Sequence, residues 1–185
     1  MEIQIVSYLH HLWSWTWIDT ISWVVSSKPF LYVFFAMIIW FVLLRLHRTR
    51  RMILLSFVLA GALFLLVSEV GIKNTFVDQI GFRSRPYVAY SGDIVAIWTP
   101  FSDTSFPSSH MASTVAMLTV LVCFIPGMWP FALGFVLMMG FSRMHNGMHY
   151  PSDVLIWSLL WILYGLGWVW LAKKIFRKIL VDYKK

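Results

Sequence analysis

The sequence predicts an all-α fold: a polytopic bundle of membrane helices with five clear spans, preceded by an N-terminal segment that is either an interfacial helix or a sixth span. Three observations carry that prediction. Of the 185 residues, 59% are apolar and only 12% charged, where a soluble domain has about 45 to 50% and about 25%. Aromatic side chains make up 18%, eleven of them Trp, and the mean hydropathy is +0.74, so too few polar groups exist to coat a water-facing surface. The apolar residues also fall in long runs, and a hydrocarbon core of about 30 Å needs about 20 of them per helix. A chain of this length has room for such spans and little else, so residues 1–185 are expected to form one membrane-embedded domain.

Taken in order, residues 3–27 are apolar but broken by His10, His11 and Asp19, with Trp13, Trp15, Trp17 and Trp23 between them, a pattern that suits the headgroup level. The segment has no basic n-region and no small-residue cleavage site, so it is expected to stay in the mature protein. Lys28-Pro29 opens the first clear span, about 30–46, and the second covers about 52–70; Arg45, His47, Arg48, Arg50 and Arg51 lie between and around them. The stretch 71–108 is less apolar, carries Gly, Pro, Ser and charged residues, and is too long for a passive turn. A third span, about 109–125, stops at Pro126-Gly127. A short fourth covers about 128–143, and a Trp-rich fifth, about 153–172, leads into the basic tail Lys173, Lys174, Arg177, Lys178, Lys184 and Lys185. Cys123 is the single cysteine, which excludes a disulfide within the chain.

Orientation follows from the basic residues, because Lys and Arg accumulate in short cytoplasmic loops. Ten of the fifteen lie in 45–51 or the tail, and five spans put both segments on one side. The C-terminus is then cytoplasmic, and the loops 71–108 and 142–153 share the opposite, outer face. The net charge of +7 reads as topology; nucleic-acid binding would need an exposed basic face on a soluble module.

The outer loops hold Lys73, Arg83, Arg85, His110, Arg143, His149 and Asp153 at or near span ends, where ionisable groups mark candidate functional sites. His149 stands just before Pro151, a residue suited to a first helical turn, and Asp153 follows four residues later. A carboxylate there can hold one imidazole nitrogen and leave the other as a nucleophile or base; equally, the pair can decorate an interface, with Asp153 complementing a helix N-terminus. In Pro107-Ser108-Ser109-His110, either serine can act as an N-cap, and the free N–H groups of a helix start form an anion site. His110 in that turn is either a proton donor to a leaving oxygen or an interfacial side chain. Lys73, Arg83 and Arg85 supply cations, Arg matching phosphate oxygens in two-point geometry, or else they snorkel to headgroups.

Together these residues resemble the type 2 phosphatidic acid phosphatase superfamily of integral membrane lipid phosphatases, whose signature is K-x6-R-P, P-S-G-H and S-R-x5-H-x3-D. The third part is met in full by Ser142, Arg143, His149 and Asp153. The second is met by Pro107, Ser108 and His110, with Ser109 in place of Gly. The first departs: Arg85-Pro86 fits, but Lys73 lies twelve residues before Arg85 where the family has seven. Either residues are inserted there, or Arg83 takes part of the lysine's role. The matching positions run from 73 to 153.

The resemblance implies that His149 attacks phosphorus to form a phosphohistidine, Asp153 orients its ring and His110 protonates the departing oxygen. Lys73, Arg85, Arg143, Ser108 and the Ser109 backbone would hold the phosphoryl oxygens, with no metal or other cofactor. It further implies a membrane lipid phosphate as substrate. The segments F-R-S-R-P-Y and S-F-P-S-S-H are similar to those of bacterial undecaprenyl diphosphate phosphatases, enzymes of the cell (inner) membrane with an extracytoplasmic site. Phosphatidylglycerol phosphate, phosphatidic acid and the 1-phosphate of lipid A are the alternative substrates, and selectivity is expected in the loop 87–106 and the N-terminal Trp-rich segment. His145 matches no signature position and reads as an interfacial side chain. Two readings from other classes are a metal-binding membrane protein using His110, His149 and Asp153 as ligands, and a structural membrane protein with interfacial charges.

Overall fold

The computed structural model describes residues 1–12, 16–45, 50–63, 75, 81–97 and 104–182. Lys73, residues 46–49 of the basic loop and most of the stretch 64–80 lie outside the described residues. Those described form helices α1 (Glu2–Leu12), α2 (Thr16–Val25), α3 (Lys28–Arg45), α4 (Arg50–Leu63), the single turn α5 (Pro86–Ala89), α6 (Ser109–Phe124), α7 (Trp129–His145) and α8 (Pro151–Asp182). A 3-10 turn, Pro126–Met128, joins α6 to α7.

The breaks follow from local chemistry. The Phe30 N–H donates to Ser27 Oγ at 3.2 Å, capping the start of α3, and Pro29 sits where its missing N–H costs nothing. Pro126 ends α6 because it can neither donate to the preceding turn nor fit behind it. Gly147 follows α7 at φ +66°, a conformation that favours glycine. A β-carbon there would stand 2.7 Å from Ile94 Cγ2, so the turn that leads to His149 also needs the missing side chain.

Helix α6 packs most extensively on α8, with α4 against both; α7 lies beside α6, and α1 and α2 lie against α7. The α6–α8 approach is close at Gly165, where a β-carbon would meet Thr119 at 3.0 Å and the Ala116 carbonyl at 3.2 Å. Small residues at such crossings let helix backbones approach in the absence of a water-driven force. The core runs through Ile53, Met111, Leu118, Leu121, Met139 and Trp157, all essentially inaccessible. Outside it the bundle presents large apolar side chains, with Trp40 65%, Leu163 67% and Trp170 63% exposed, the reverse of a soluble bundle's polar coat.

Of the five spans expected, Pro151–Ile175 alone among the described residues is both long and apolar enough to cross a bilayer. Helix α6, with 16 residues, reaches about 24 Å at 1.5 Å per residue. The N-terminal segment holds two helices, α1 and α2, and Trp17–Val25 of α2 and Lys28–Leu44 of α3 are long and apolar enough to cross a bilayer only as a pair, bent by 63° at the break. The expected second span runs beyond Leu63 into residues that are not described.

Candidate active site

At one end of the bundle, the turn between α7 and α8, the segment 81–85 and the residues just before α6 converge. Ser105 N–H donates to the Arg83 carbonyl at 2.8 Å, and Thr104 exchanges hydrogen bonds with the Arg83 backbone. The two segments, about 20 residues apart in sequence, are thereby held side by side. Tyr87 N–H donates to the Gly147 carbonyl at 3.1 Å, which docks α5 on the turn that carries His149.

His149 is 2% exposed. Its Nδ1 lies 2.5 Å from the Ser105 carbonyl oxygen. A carbonyl can only accept, so Nδ1 carries the proton and Nε2 keeps its lone pair. Around Nε2 stand Arg143 Nη2 at 3.2 Å and Arg85 Nη1 at 3.4 Å, both guanidiniums being buried. Arg85 is itself fixed by a hydrogen bond to the Met148 carbonyl at 2.9 Å. Burial first, then the charges of Arg143 and Arg85, hold the His149 pKa well below the usual imidazole value, because a second positive charge there would be both desolvated and repelled. An unprotonated nitrogen beside two forked cations can attack an anion that those cations bind.

Asp153 is fully buried and does not touch that ring directly. Its Oδ2 accepts from Ser105 Oγ at 2.5 Å and Tyr150 N–H at 2.9 Å, and its Oδ1 accepts from Arg83 Nη1 at 2.5 Å. Arg83 lies 4.0 Å over the Tyr150 ring and pairs through Nη2 with Glu2 at 2.7 Å. Glu2 in turn accepts the Ser152 N–H at 3.0 Å, placing a carboxylate at the start of α8. Arg83 is therefore bound to two carboxylates, whereas Arg85 faces His149; the two arginines of Phe82-Arg83-Ser84-Arg85 do different work.

Ser108 is the N-cap residue of α6 but its hydroxyl makes no capping bond. Oγ is buried and without a hydrogen-bond partner among the described residues, which is costly unless a ligand completes it. His110 and Ser109 line a cavity of about 530 Å³ between α3, α4 and α6, whose mouth carries Lys28 and whose walls include Phe35, Ile39 and Met117. The His110 imidazole hydrogen-bonds to the backbone carbonyl of Ser26.

Sequence reasoning missed Ser105, the support for His110 from the turn after α2, and the zipper that joins α2 and that turn to α7. In that zipper Ser142 Oγ donates to the Ser22 carbonyl at 2.7 Å and meets Ser26 Oγ, while Asn146 bonds both Ser22 and Ser26 side chains. Small hydroxyl residues at four-residue spacing, Ser22 and Ser26, were the available signal. His145, expected at an interface, is buried instead. Its ring bridges Leu9 O and Asp19 Oδ1, each at 2.9 Å, which ties both N-terminal helices to α7.

The grouping also bears on the metal reading. Both Asp153 oxygens are engaged, and His149 Nε2 points at two guanidiniums, a poor place for a cation. No group of three metal-ligating side chains occurs among the described residues.

Similarity to a known family separates an enzyme from a purely structural membrane protein. The model of the PAP2 superfamily matches residues 53–178, about two thirds of the chain, including every site residue from Arg83 to Asp153. The chain belongs to the PAP2 superfamily. A relative within reach is the undecaprenyl-diphosphatase BcrC of Bacillus subtilis (strain 168), 34% identical over 83 residues, which are 44% of this chain and 42% of that one. The match thus spans less than half the length of that relative. No solved structure matches. For a PAP2 chain, the convergence of Arg85, Ser108, His110, Arg143, His149 and Asp153 at one end of the bundle brings together positions that span 69 residues of sequence.

Proposed function

We propose that the protein is a metal-independent membrane lipid phosphatase that releases inorganic phosphate from undecaprenyl diphosphate through a phosphohistidine at His149. The observation that carries this reading is the state of His149: Nδ1 tied to the Ser105 carbonyl at 2.5 Å and Nε2 unprotonated, facing the N–H groups of Arg143 and Arg85. In the first step Nε2 attacks the terminal phosphorus, an N–P bond forms and the bond to the bridging oxygen breaks. His110 gives that oxygen a proton. Arg85, Arg143, the Ser108 hydroxyl and the Ser109 backbone N–H hold the three other oxygens, and Lys73 joins them on the strength of its signature position. Such preorganised charges supply most of the stabilisation in phosphoryl transfer. In the second step water attacks phosphorus as His110 takes its proton, the N–P bond breaks, and phosphate and free His149 result.

Asp153 acts in this scheme through Ser105, keeping the carbonyl that fixes the ring rather than holding the ring itself. The same reading places five spans and an interfacial N-terminal pair of helices in a bacterial cell membrane, with the site on the extracytoplasmic face and the C-terminus in the cytoplasm. The cavity beside His110 offers the lipid chain a lateral entry between α3 and α4.

The test is phosphate release by the purified protein in detergent with EDTA, across undecaprenyl diphosphate, phosphatidylglycerol phosphate, phosphatidic acid and lipid A. Fastest turnover of undecaprenyl diphosphate supports the reading; loss of activity on chelation would reject the metal-free mechanism, and a preference for another lipid would reassign the substrate.

A further inference from the structure

Lys28 opens α3 at the mouth of the cavity that Ser109 and His110 also line. It is exposed, and it makes no ion pair or hydrogen bond among the described residues. None of the residues lining that cavity is acidic. The other cations of the site are differently employed: Arg83 is bound to Asp153 and Glu2, while Arg85 and Arg143 face the nucleophile. Among the described residues, one positive charge is therefore left on the His110 side, away from His149.

The direction of the reaction says what belongs there. Attack and departure are roughly in line, so the leaving oxygen lies on the side of phosphorus opposite His149 and next to His110. In a monophosphate the atom beyond that oxygen is carbon. In a diphosphate it is a second phosphorus, with two further anionic oxygens that gain charge as the bridge breaks. We infer that Lys28 binds the lipid-proximal phosphate of a diphosphate substrate, and so selects diphosphates over monophosphates at this site; the inference rests on the phosphatase reading above. As the bond between the terminal phosphorus and the bridging oxygen breaks, the electron pair stays on that oxygen, His110 supplies the proton and the product is a lipid monophosphate. Lys28 is a compact point charge, suited to the spread negative charge of that leaving group, and the apolar walls beyond it at Phe35 and Ile39 take the first part of the chain.

The experiment compares kcat/KM of the full-length protein in detergent on farnesyl diphosphate and farnesyl monophosphate, for the wild type, Lys28→Met and Lys28→Arg. Where the monophosphate is not turned over, its inhibition constant is read instead. Methionine keeps an apolar stem at an exposed position, and the monophosphate reading doubles as a check on folding. A charge-assisted contact corresponds to a loss of about ten- to a hundredfold on the diphosphate, with a change of about threefold or less on the monophosphate and recovery of most activity in Lys28→Arg. An equal loss on both substrates, or no loss on the diphosphate, overturns the role of Lys28 while leaving the phosphatase reading intact. A wild type that releases phosphate from neither substrate nor from the lipids named above overturns both.

Discussion

Asp153 reaches His149 through one intermediate residue: Ser105 donates its hydroxyl to Asp153 Oδ2 at 2.5 Å and offers its backbone carbonyl to His149 Nδ1 at 2.5 Å. The carboxylate sets the position of a serine, and the serine's main chain sets the tautomer of the imidazole. The carbonyl belongs to the backbone and survives any substitution of Ser105, so the hydroxyl's contribution is positional.

This arrangement predicts non-additive losses. Ser105→Ala should slow turnover by about tenfold, since the carbonyl remains but loses its anchor. Asp153→Asn should cost more, because Arg83 and the Tyr150 N–H are released as well. The double variant should be no slower than Asp153→Asn, as expected of residues in one network. Independent, multiplying losses in kcat would show that Ser105 does not transmit the effect of Asp153.

His149→Ala should abolish turnover, whereas His110→Ala should reduce it by about a hundred- to ten-thousandfold, the usual worth of a general acid. The two differ in leaving-group dependence. An activated aryl phosphate needs no proton on its departing oxygen, so His110→Ala should lose much less on it than on the lipid. Equal losses on both substrates would remove His110 from the role of acid.

The pH profile follows from the direction of the His149 shift. Burial, Arg143 and Arg85 lower its pKa, so Nε2 stays neutral below the usual imidazole range, about 6.5, and the acid limb of kcat/KM should fall beneath that value. Arg143→Met removes the second of these causes and should move the limb to higher pH. Stability changes in the same window. Below about 6.5 an unfolded His149 takes up a proton that the folded one refuses, so the folded state loses stability as pH falls from there toward the lowered pKa. An acid limb that stays put in Arg143→Met would detach it from His149.

Ser108→Ala should lower kcat by about tenfold with no loss of thermal stability. Its buried hydroxyl has no partner among the described residues, so its removal breaks no hydrogen bond and relieves an unpaired polar group. A drop in melting temperature of several degrees, with activity unchanged, would mean that the hydroxyl is structural.

The sequence alone determined that the chain is helical and apolar. Both properties are local: run length and side-chain chemistry leave few alternatives for a backbone that must satisfy its own hydrogen bonds. It also marked His110, His149 and Asp153, whose spacing to Pro107 and Pro151 ties them to helix starts, and Arg143, which lies in the last turn of α7. Only the tertiary structure decided how those residues act. It separated Arg83 from Arg85, two neighbours that sequence treats alike, by bringing Glu2 and Asp153 against one and His149 against the other. It put Ser105 between the acid and the imidazole, turned His145 from an interface residue into a buried bridge, and set Lys28 beside His110. Each of these depends on contacts between segments tens of residues apart. Directional hydrogen bonds form only once the helices have packed, so no pattern along the chain records them.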